Sequence, residues 1–522
     1  MATQENLPII VSKIGIIGAG VSGIAVAKQL SHYNPIVFEA TDSIGGVWRH
    51  CSYKCTKLQS QTWNYEFSDF PWPARESSDY PSYVEILEYL HTYAVHFDLF
   101  KYVKFNSNVV EIKFIQDNEG FDSGRLPGDH GNPLPGHPVW ELSVQTNELD
   151  TIQRYHFEFV VVCTGKYGDI PLMPTFPHNK GPEVFNGKVL HTIDYCKLDK
   201  EATSDLVKGK KTVVVGYKKS AIDLAMECAQ ANQGPEGQSC TMIIRSLHWT
   251  LPHYSMWGVP FYLFYATRSA QFLHQTPNQG LLKSILCFLL SPLRRGISKF
   301  IESYLLWKLP FEKYGLKPEH PFEEDFASCQ IAITQESFFN EADKGKIIFK
   351  KASKWWFWNG GIEFDDNTKI DADVVLLATG YDGKKKLKTI LPEPFSSLLD
   401  PSGIMPLYRG TVHPSIPNMA FVGYVESVSN LYTSEIRSMW LSGLLDNKFK
   451  LPSAEKMLSK TIKDMEIMKN STRFYKRNCI TTFGINHNDE ICEDLGWNTW
   501  RKKNLFQEAF TPYFAADYKK ED

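Results

Sequence analysis

The chain carries short apolar runs, each followed by a glycine-containing turn and then by a stretch with the apolar spacing of a helix. Residues 14–17 begin the first such unit, and residues 213–215 begin a second one much later in the chain. A short apolar run bounded by turn residues is typical of a strand buried in a parallel sheet. The pattern therefore predicts an α/β fold with two Rossmann-like, dinucleotide-binding units.

The turn of the first unit carries the GxGxxG pattern. Its first glycine permits a tight turn, its second brings bare backbone to a pyrophosphate, and its third allows the helix to pack closely on the strand. A second strand, residues 36–38, ends in an acidic residue at the spacing at which a carboxylate binds an adenosine ribose. The residues predicted to contact this nucleotide are Gly18, Ala19, Gly20, Val21, Ser22, Gly23 and Glu39.

The turn of the second unit departs from this pattern. Gly216 and Ala221 keep the turn and the close packing, but Lys218 replaces the middle glycine and must point away or contact phosphate. Arg245 ends the next strand, where a planar guanidinium suits the 2′-phosphate of NADP. The alternative is a solvated turn and an ordinary cation at a strand end. The predicted contacts are Gly216, Tyr217, Lys218, Lys219, Ser220, Ala221 and Arg245.

A third pattern lies between the two units. Phe185, Gly187, His191 and Tyr195 follow the spacing FxGxxxHxxx[YF]. Flanked by two dinucleotide signatures, this pattern resembles the identifying sequence of the flavin-containing monooxygenases. The structural alternative is a linker in which His191 caps a turn and the aromatic side chains pack.

The resemblance implies that the N-terminal signature binds FAD and the second one NADPH. It implies an FAD-binding domain at residues 1–170 and 371–522, with an NADP(H)-binding domain inserted at residues 171–370. NADPH would reduce the flavin, and dioxygen would add to it as a hydroperoxide that passes one oxygen atom to a soft nucleophile. It also places five further residues at the cofactors, namely Gly46, Val47, Trp48, Thr379 and Asp382.

Within the family, the chain resembles the plant branch that N-hydroxylates pipecolic acid in defence signalling. Segments 70–73, 168–171 and 354–357 carry this resemblance, together with the lysine-containing turn at 216–221. It implies dioxygen and a small amine or amino acid as substrates. Two alternatives are S-oxygenation of a thioether metabolite and a non-catalytic flavoprotein sensor in which Lys218 impairs NADPH binding.

One position departs from the family pattern. Many members place an asparagine at a fixed distance before the segment that matches residues 67–71, where it hydrogen-bonds near the flavin and NADP. Counting back from Phe67 places Gln59 there. Glutamine keeps the amide donor and the carbonyl acceptor and adds a methylene. The resemblance therefore implies Gln59 as the catalytic side chain.

Cys51 and Cys55 suggest a further alternative, a flavin disulfide reductase. In this chain, Ser-Tyr-Lys separates the two cysteines. Reductases of that architecture have one more residue between their redox cysteines. Both cysteines are therefore predicted to pack as small apolar groups. The ten cysteines include no CxxC pair and no zinc-binding spacing, so no metal is predicted.

Charge and hydropathy restrict the partners and the location. The net charge is −3 and the charged residues are interspersed, which argues against a nucleic-acid surface. The first residues lack the features of a signal peptide, so a cytoplasmic location is expected. The uncharged run 284–293, within an aromatic stretch, is too short to span a bilayer. It predicts a core helix; the alternatives are a substrate lid or a membrane-touching surface, with peripheral association at the endoplasmic reticulum.

Overall fold

The computed structural model describes residues 7–75, 80–115, 130–146, 151–335, 337–399 and 404–520. Most strands in these ranges belong to two large sheets, and the others form ribbons of two or three strands. In chain order the strands are β1 (Ile10–Ile17), β2 (Ile36–Phe38), β3 (Val103–Lys104), β4 (Ser107–Phe114), β5 (Trp140–Thr146), β6 (Ile152–Val162), β7 (Lys188–His191), β8 (Thr212–Val215), β9 (Cys240–Ile244), β10 (Thr250–Leu251), β11 (Ser255–Met256), β12 (Val259–Pro260), β13 (Ala332–Ile333), β14 (Ile347–Lys351), β15 (Trp355–Trp358), β16 (Gly361–Phe364), β17 (Lys369–Asp371), β18 (Val374–Leu377) and β19 (Met419–Phe421).

Helices cover the sheets and connect their strands. In chain order the α-helices are α1 (Val21–Gln29), α2 (Val47–His50), α3 (Tyr83–His96), α4 (Thr192–Cys196), α5 (Lys200–Val207), α6 (Lys219–Ala231), α7 (Tyr262–Tyr265), α8 (Arg268–Gln271), α9 (Leu281–Leu289), α10 (Ser291–Lys308), α11 (Phe322–Ala327), α12 (Ser337–Asp343), α13 (Gly383–Ile390), α14 (Asn430–Leu445), α15 (Ala454–Ser471), α16 (Gly484–Leu495) and α17 (Leu505–Phe510).

The first sheet has the order β3-β2-β1-β6-β5-β4, with β19 also paired to β6. β1 runs parallel to β2 and to β6, and β19 runs parallel to β6. The apolar run at the end of β1 is buried because both of its edges are paired and helices cover the sheet. The carboxyl ends of these four strands therefore meet along one edge, where open α/β sheets bind ligands.

The second sheet has the order β14-β9-β8-β18-β7, and all of its pairs are parallel. The predicted α/β fold with two Rossmann-like sheets is confirmed. The predicted boundary between residues 370 and 371 needs correction, because β18 hydrogen-bonds to β8 and β7 and thus belongs to this sheet. An apolar run such as β18 requires partners on both edges, and these two strands provide them. The chain rejoins the first sheet only at β19.

The expectation that the apolar run 284–293 forms a core helix is wrong. α9 covers most of this run, yet Leu282 is 82% exposed and Phe288 is 77% exposed. Of the residues of α9, Cys287 alone is buried, so the helix turns most of its apolar side chains towards solvent. In the part of the chain that the structure describes, no helix is both long enough and apolar enough to cross a membrane.

Candidate active site

A cavity of about 920 Å³ lies at the carboxyl edge of the first sheet. One part of its wall comes from the first glycine turn, from Glu39 and from the segment that begins α2. Another part comes from the region of the second sheet, which contributes Leu251, Tyr254 and Phe261. The cavity therefore extends from the predicted dinucleotide turn to an apolar chamber between the two halves of the molecule.

The three glycines of the first turn have different structural roles. A Cβ on Gly23 would lie 1.8 Å from the carbonyl oxygen of Gly18, so no side chain fits where α1 meets the turn. Gly18 has φ of +99°, which favours glycine. Gly20 lies opposite Gly46, and a Cβ on Gly46 would come within 3.1 Å of the Cα of Gly20. Gly20 and Gly46 therefore form a bare backbone cradle at the cavity wall.

The carboxylate of Glu39 is held in place at the end of β2. Its Oε2 accepts a hydrogen bond from the Ala19 N–H at 2.8 Å, and its Oε1 accepts from the backbone and the hydroxyl of Thr41 at 3.0 and 2.8 Å. A carboxylate has about four acceptor positions. One therefore stays available to a ribose hydroxyl in the cavity, which Glu39 lines.

Five further residues predicted near the first nucleotide line the cavity. Gly46, Val47 and Trp48 all line the cavity, as do Val21 and Ser22. The indole N–H of Trp48 donates to the hydroxyl of Tyr65 at 2.7 Å, which fixes the ring at the start of α2.

The second glycine turn preserves its backbone geometry. Gly216 has φ of +140°, and a Cβ there would lie 2.7 Å from the carbonyl oxygen of Ala378 and 3.2 Å from the Cβ of Ala221. Tyr217 is buried beneath the turn, and the hydroxyl of Ser220 hydrogen-bonds to Tyr53. The small residues thus retain the turn and the close packing that the sequence predicts.

Two cations at this turn are free to meet an anion. The ammonium group of Lys219 pairs with Asp223 in the next turn of α6, whereas Lys218 and Arg245 have no hydrogen bond or ion pair within the described ranges. Crowding by protein atoms and the positive charge of Arg477 lower the pKa of Lys218 to about 8, against the opposing charges of Glu426 and Asp325. Lys218 keeps contact with solvent and lies among charges of both signs.

Thr379 and Asp382 hold the segment in which the chain leaves the second sheet after β18, and they do not line the cavity. The Thr379 hydroxyl donates to the carbonyl oxygen of Leu172 at 2.7 Å. The Asp382 carboxylate accepts the Lys385 N–H at 3.0 Å and thereby caps α13. These contacts fix the segment after β18, and neither residue is part of the cavity lining.

The linker pattern is structural in its contacts. The His191 Nδ1 accepts the Ile193 N–H at the start of α4, and its Nε2 lies 3.0 Å from the carbonyl oxygen of Gly380. The Tyr195 hydroxyl donates to Glu227 at 2.9 Å. These residues therefore connect β7 and α6 to the segment after β18. Such contacts are those of a structural linker.

Gln59 lies on the cavity wall, where it joins the two halves of the molecule. Its Oε1 accepts the Ile333 N–H at 3.2 Å, and its backbone carbonyl oxygen accepts the Tyr254 hydroxyl. The bond from Ile333 identifies Oε1 as the acceptor, so Nε2 is the remaining donor. This nitrogen has no hydrogen-bond partner among the residues that the structure describes.

We expect Gln59→Ala to retain FAD but to release more peroxide per NADPH consumed, because the cavity loses an amide donor and gains solvent. Parallel assays of NADPH, peroxide and oxygenated product measure this coupling. Gln61→Ala is the matched control, since Gln61 is exposed and lies outside the cavity. Coupling equal to that of the wild type would remove Gln59 from the site.

A charged cluster on the cavity wall was not predicted. Glu426 is buried and accepts hydrogen bonds from Lys166 at 2.7 Å, from Arg477 at 2.7 Å and from the Tyr167 hydroxyl. Burial alone would raise the pKa of Glu426, but the charges of Arg477 and Lys166 outweigh it and lower this pKa to about 2. The cluster places one carboxylate against two cations.

The positions of Lys166 and Glu426 in the sequence indicate that both belong to the site. Lys166 closely follows β6, and Glu426 follows β19, so both lie beyond the carboxyl ends of neighbouring parallel strands. Arg477 has no such signal, because it lies in a short turn after α15.

Another part of the cavity wall is apolar. Its side chains share aromatic or branched aliphatic character and are Leu251, Tyr254, Phe261, Phe326 and Ile331. Behind this wall, Asp325 accepts hydrogen bonds from His248 at 2.8 Å and from the Trp249 N–H at 2.7 Å, and it lies 2.9 Å from His320. These contacts hold α11 against the segment that leads into β10.

The cysteines do not form a reductase pair. Cys51 and Cys55 are both free and half-buried, and Cys55 lies against the backbone of α6. A disulfide instead joins Cys329 to Cys479, far apart in sequence. Cys329 lines the cavity, so this bond ties the region of the second sheet to the segment that carries Arg477.

Two sequence comparisons identify the family of the chain. The family model described as "FMO-like: Flavin-binding monooxygenase-like" matches residues 11–511. The "Probable flavin-containing monooxygenase 1" of Arabidopsis thaliana is 62% identical over 510 residues, which cover 97% of this chain and 96% of that protein.

Two solved structures share the fold. The S-allyl-L-cysteine S-oxygenase from Allium sativum has a TM-score of 0.57 and 16% identity, covering 94% of this chain and 90% of its own. The OTEMO complex with FAD and NADP has a TM-score of 0.64 and 17% identity, covering 90% and 92%. Because the family model matches residues 11–511 and the Arabidopsis protein is 62% identical, the chain belongs to the flavin-binding monooxygenase-like family and is a flavin-containing monooxygenase.

Proposed function

We propose that this monooxygenase uses FAD and NADPH to transfer one oxygen atom from dioxygen to the amine nitrogen of pipecolic acid, as part of plant defence signalling. The observation that carries the proposal is the continuous cavity, which joins the first glycine turn to a chamber with one charged and one apolar wall. A chamber of this kind suits a small molecule that has an apolar ring and a charged group.

FAD fits the half of the cavity formed by the first sheet. The bare backbone of Gly20 and Gly46 leaves room for a pyrophosphate, and the fixed carboxylate of Glu39 suits the adenosine ribose. The N-terminus of α14, at Asn430, also lines the cavity and favours electron-rich oxygen atoms. We assign FAD binding to residues 1–170 and to the chain after β18.

NADPH fits the turn before α6. Lys218 and Arg245 supply two cations, of which the guanidinium suits a 2′-phosphate, and Gly216 keeps the backbone turn. In this assignment, Lys218 replaces the close backbone approach of the usual glycine by a direct charge on the phosphates. We assign NADPH binding to the second sheet, from residue 171 to the end of β18.

The bound cofactors supply the redox chemistry, namely hydride transfer to the flavin and activation of dioxygen. The protein positions the substrate and excludes water. Tyr254, Phe261 and Phe326 form an apolar wall that does both, and Gln59 offers an amide donor beside it. The amine must be neutral to act as a nucleophile, and an apolar wall favours its neutral form.

S-oxygenation of a thioether is the alternative that a specific observation favours, because the apolar wall accommodates sulfur as well as a ring. Purified protein incubated with NADPH, air and either pipecolic acid or S-allyl-L-cysteine distinguishes the two. Mass spectrometry should find a one-oxygen gain on pipecolic acid at the higher rate. A one-oxygen gain on the thioether alone would overturn the proposed substrate. A flavin absorbance that does not bleach when NADPH is added would indicate a non-catalytic sensor.

We also propose a cytoplasmic protein that touches membranes peripherally through α9 and the start of α10. Leu281, Leu282 and Phe288 are among its most exposed apolar side chains, and Arg295 and Lys299 are exposed beside them. An exposed apolar face flanked by cations is typical of a helix that lies in the interface of an anionic bilayer.

We expect the double variant Leu282→Asp and Phe288→Asp to bind phosphatidylserine vesicles at least about tenfold more weakly than the wild type, because two apolar anchors are lost. Co-sedimentation with these vesicles measures the binding. Val84→Asp, an exposed apolar position on α3, is the control. Equal sedimentation of all three proteins would contradict the contact.

A further inference from the structure

Arg477 has an unpaired donor at the cavity. Its Nη2 donates to Glu426 at 2.7 Å and to the carbonyl oxygen of Cys329 at 3.3 Å, and its guanidinium lies 5.6 Å from the ring centre of Tyr167. Among the described residues, neither Nε nor Nη1 has a hydrogen-bond partner, and Nε is buried. Arg477 lines the cavity and its side chain is 29% exposed, so a molecule in the cavity can reach the guanidinium at Nη1.

A donor in this state favours binding of an acceptor. Leaving a buried N–H unsatisfied is unfavourable, and more so for a charged group. Guanidinium groups match carboxylates in geometry and bind them with strong, charge-assisted hydrogen bonds. The occupant that best satisfies the accessible Nη1 group is therefore an oxygen atom of an anion.

The charge around Arg477 also favours an anion. Glu426 is the carboxylate of the cluster, and Lys166 and Arg477 both pair with it, which leaves one excess positive charge. Lys218 lies close enough to Arg477 for their charges to interact, but the carboxylate of Asp325 also acts on Lys218, so the excess of the cluster stays at one positive charge. A neutral amine or a simple ketone would leave this charge without compensation.

We infer that Arg477 anchors the carboxylate of an amino-acid substrate, while the apolar wall holds the rest of the molecule. Arg477 hydrogen-bonds to the carbonyl oxygen of Cys329, which lies between Phe326 and Ile331 in the chain, so one small amphiphilic molecule can contact both the guanidinium and the apolar wall. This inference rests on the proposed function for the identity of the substrate. It adds the residue that distinguishes an amino acid from an amine without a carboxylate.

Calorimetric titration of FAD-loaded protein with pipecolic acid and with piperidine, which lacks the carboxylate, tests this role without NADPH or turnover. The wild type should bind pipecolic acid at least about tenfold more tightly than piperidine, since a hydrogen bond between charged groups is worth that much or more. Arg477→Lys should weaken the binding of pipecolic acid about tenfold, and Arg477→Gln should weaken it about a hundredfold. Neither should change the affinity for piperidine.

Arg473→Lys is the matched control, because Arg473 is exposed and pairs with Glu324 outside the cavity. FAD content and melting temperature show whether each variant is folded, and Arg477→Lys keeps the ion pair with Glu426. Equal losses of affinity for both ligands would overturn the proposed role of Arg477. A wild-type protein that binds piperidine as tightly as pipecolic acid would also overturn it. A selective loss of NADPH affinity would assign Arg477 to the nucleotide instead. A wild type that binds pipecolic acid but does not oxidise it would contradict the proposed function alone.

Discussion

Gly23→Ala is expected to prevent accumulation of folded, FAD-loaded protein. The added methyl group would lie 1.8 Å from the Gly18 carbonyl oxygen and 2.8 Å from its carbon, and backbone in a tight turn cannot move aside. Overpacking of this kind costs at least about 3 kcal/mol. Flavin absorbance per purified protein and the midpoint of urea unfolding measure the effect.

Gly296→Ala provides the control for the same chemical change. Gly296 lies within α10, and a Cβ there meets no atom within 4 Å. Alanine favours a helix over glycine by about 1 kcal/mol, so this variant should be as stable as the wild type or slightly more stable. Normal flavin content in the Gly23 variant would show that the turn differs from the one described.

Glu426→Gln is expected to have the second-largest effect. The substitution leaves Lys166 and Arg477 without their shared carboxylate in a buried cluster. Removal of one partner from a buried ion pair costs about 3–5 kcal/mol. The midpoint of urea unfolding should fall accordingly at neutral pH.

The effect of Glu426→Gln should disappear in acid. The two cations lower the pKa of Glu426 to about 2, which is below its unfolded value of about 4.3. A carboxyl with a lowered pKa contributes its stability above the unfolded pKa and loses it as the pH falls towards the folded one. The stabilities of wild type and variant should therefore converge between about pH 4 and pH 2.

Glu363→Gln is the control for this cluster. Glu363 also pairs with two lysines, Lys180 at 2.7 Å and Lys369 at 3.6 Å, but the side chains of both lysines are exposed to solvent. Solvent screens such pairs, so the change in stability should be small. Equal losses in the two variants would contradict the assignment of a buried cluster at Glu426.

The sequence predicts the first nucleotide turn well because local chain geometry decides it. The conformation at Gly18 and the absence of space at Gly23 depend on a few successive residues. The position of Glu39 at the end of β2 follows from the same unit. Patterns that operate within one strand, turn and helix can be recognised without a structure.

Features that depend on packing between distant segments are harder to predict. The apolar run of β18 identifies a strand, but only the tertiary structure determines that it pairs with β7 and β8. The hydropathy of α9 suggests a buried helix, yet no neighbour covers Leu282 or Phe288. Composition alone cannot distinguish a core helix from an interface helix.

The charged cluster shows the same limit at the site. Lys166 and Glu426 are 260 residues apart, and Glu426 and Arg477 are 51 residues apart. No periodicity links residues at such separations, so the sheet edge has to be built before they meet. The disulfide between Cys329 and Cys479 is likewise set by tertiary structure.

The most direct test of the account is an incubation of the purified protein with NADPH, pipecolic acid and ¹⁸O-labelled dioxygen. We expect N-hydroxypipecolic acid carrying one labelled oxygen atom, with NADPH and dioxygen consumed in equal amounts. Omission of NADPH should abolish the product. Product oxygen derived from water, or NADPH oxidation with peroxide as the sole product, would contradict the proposed N-oxygenation.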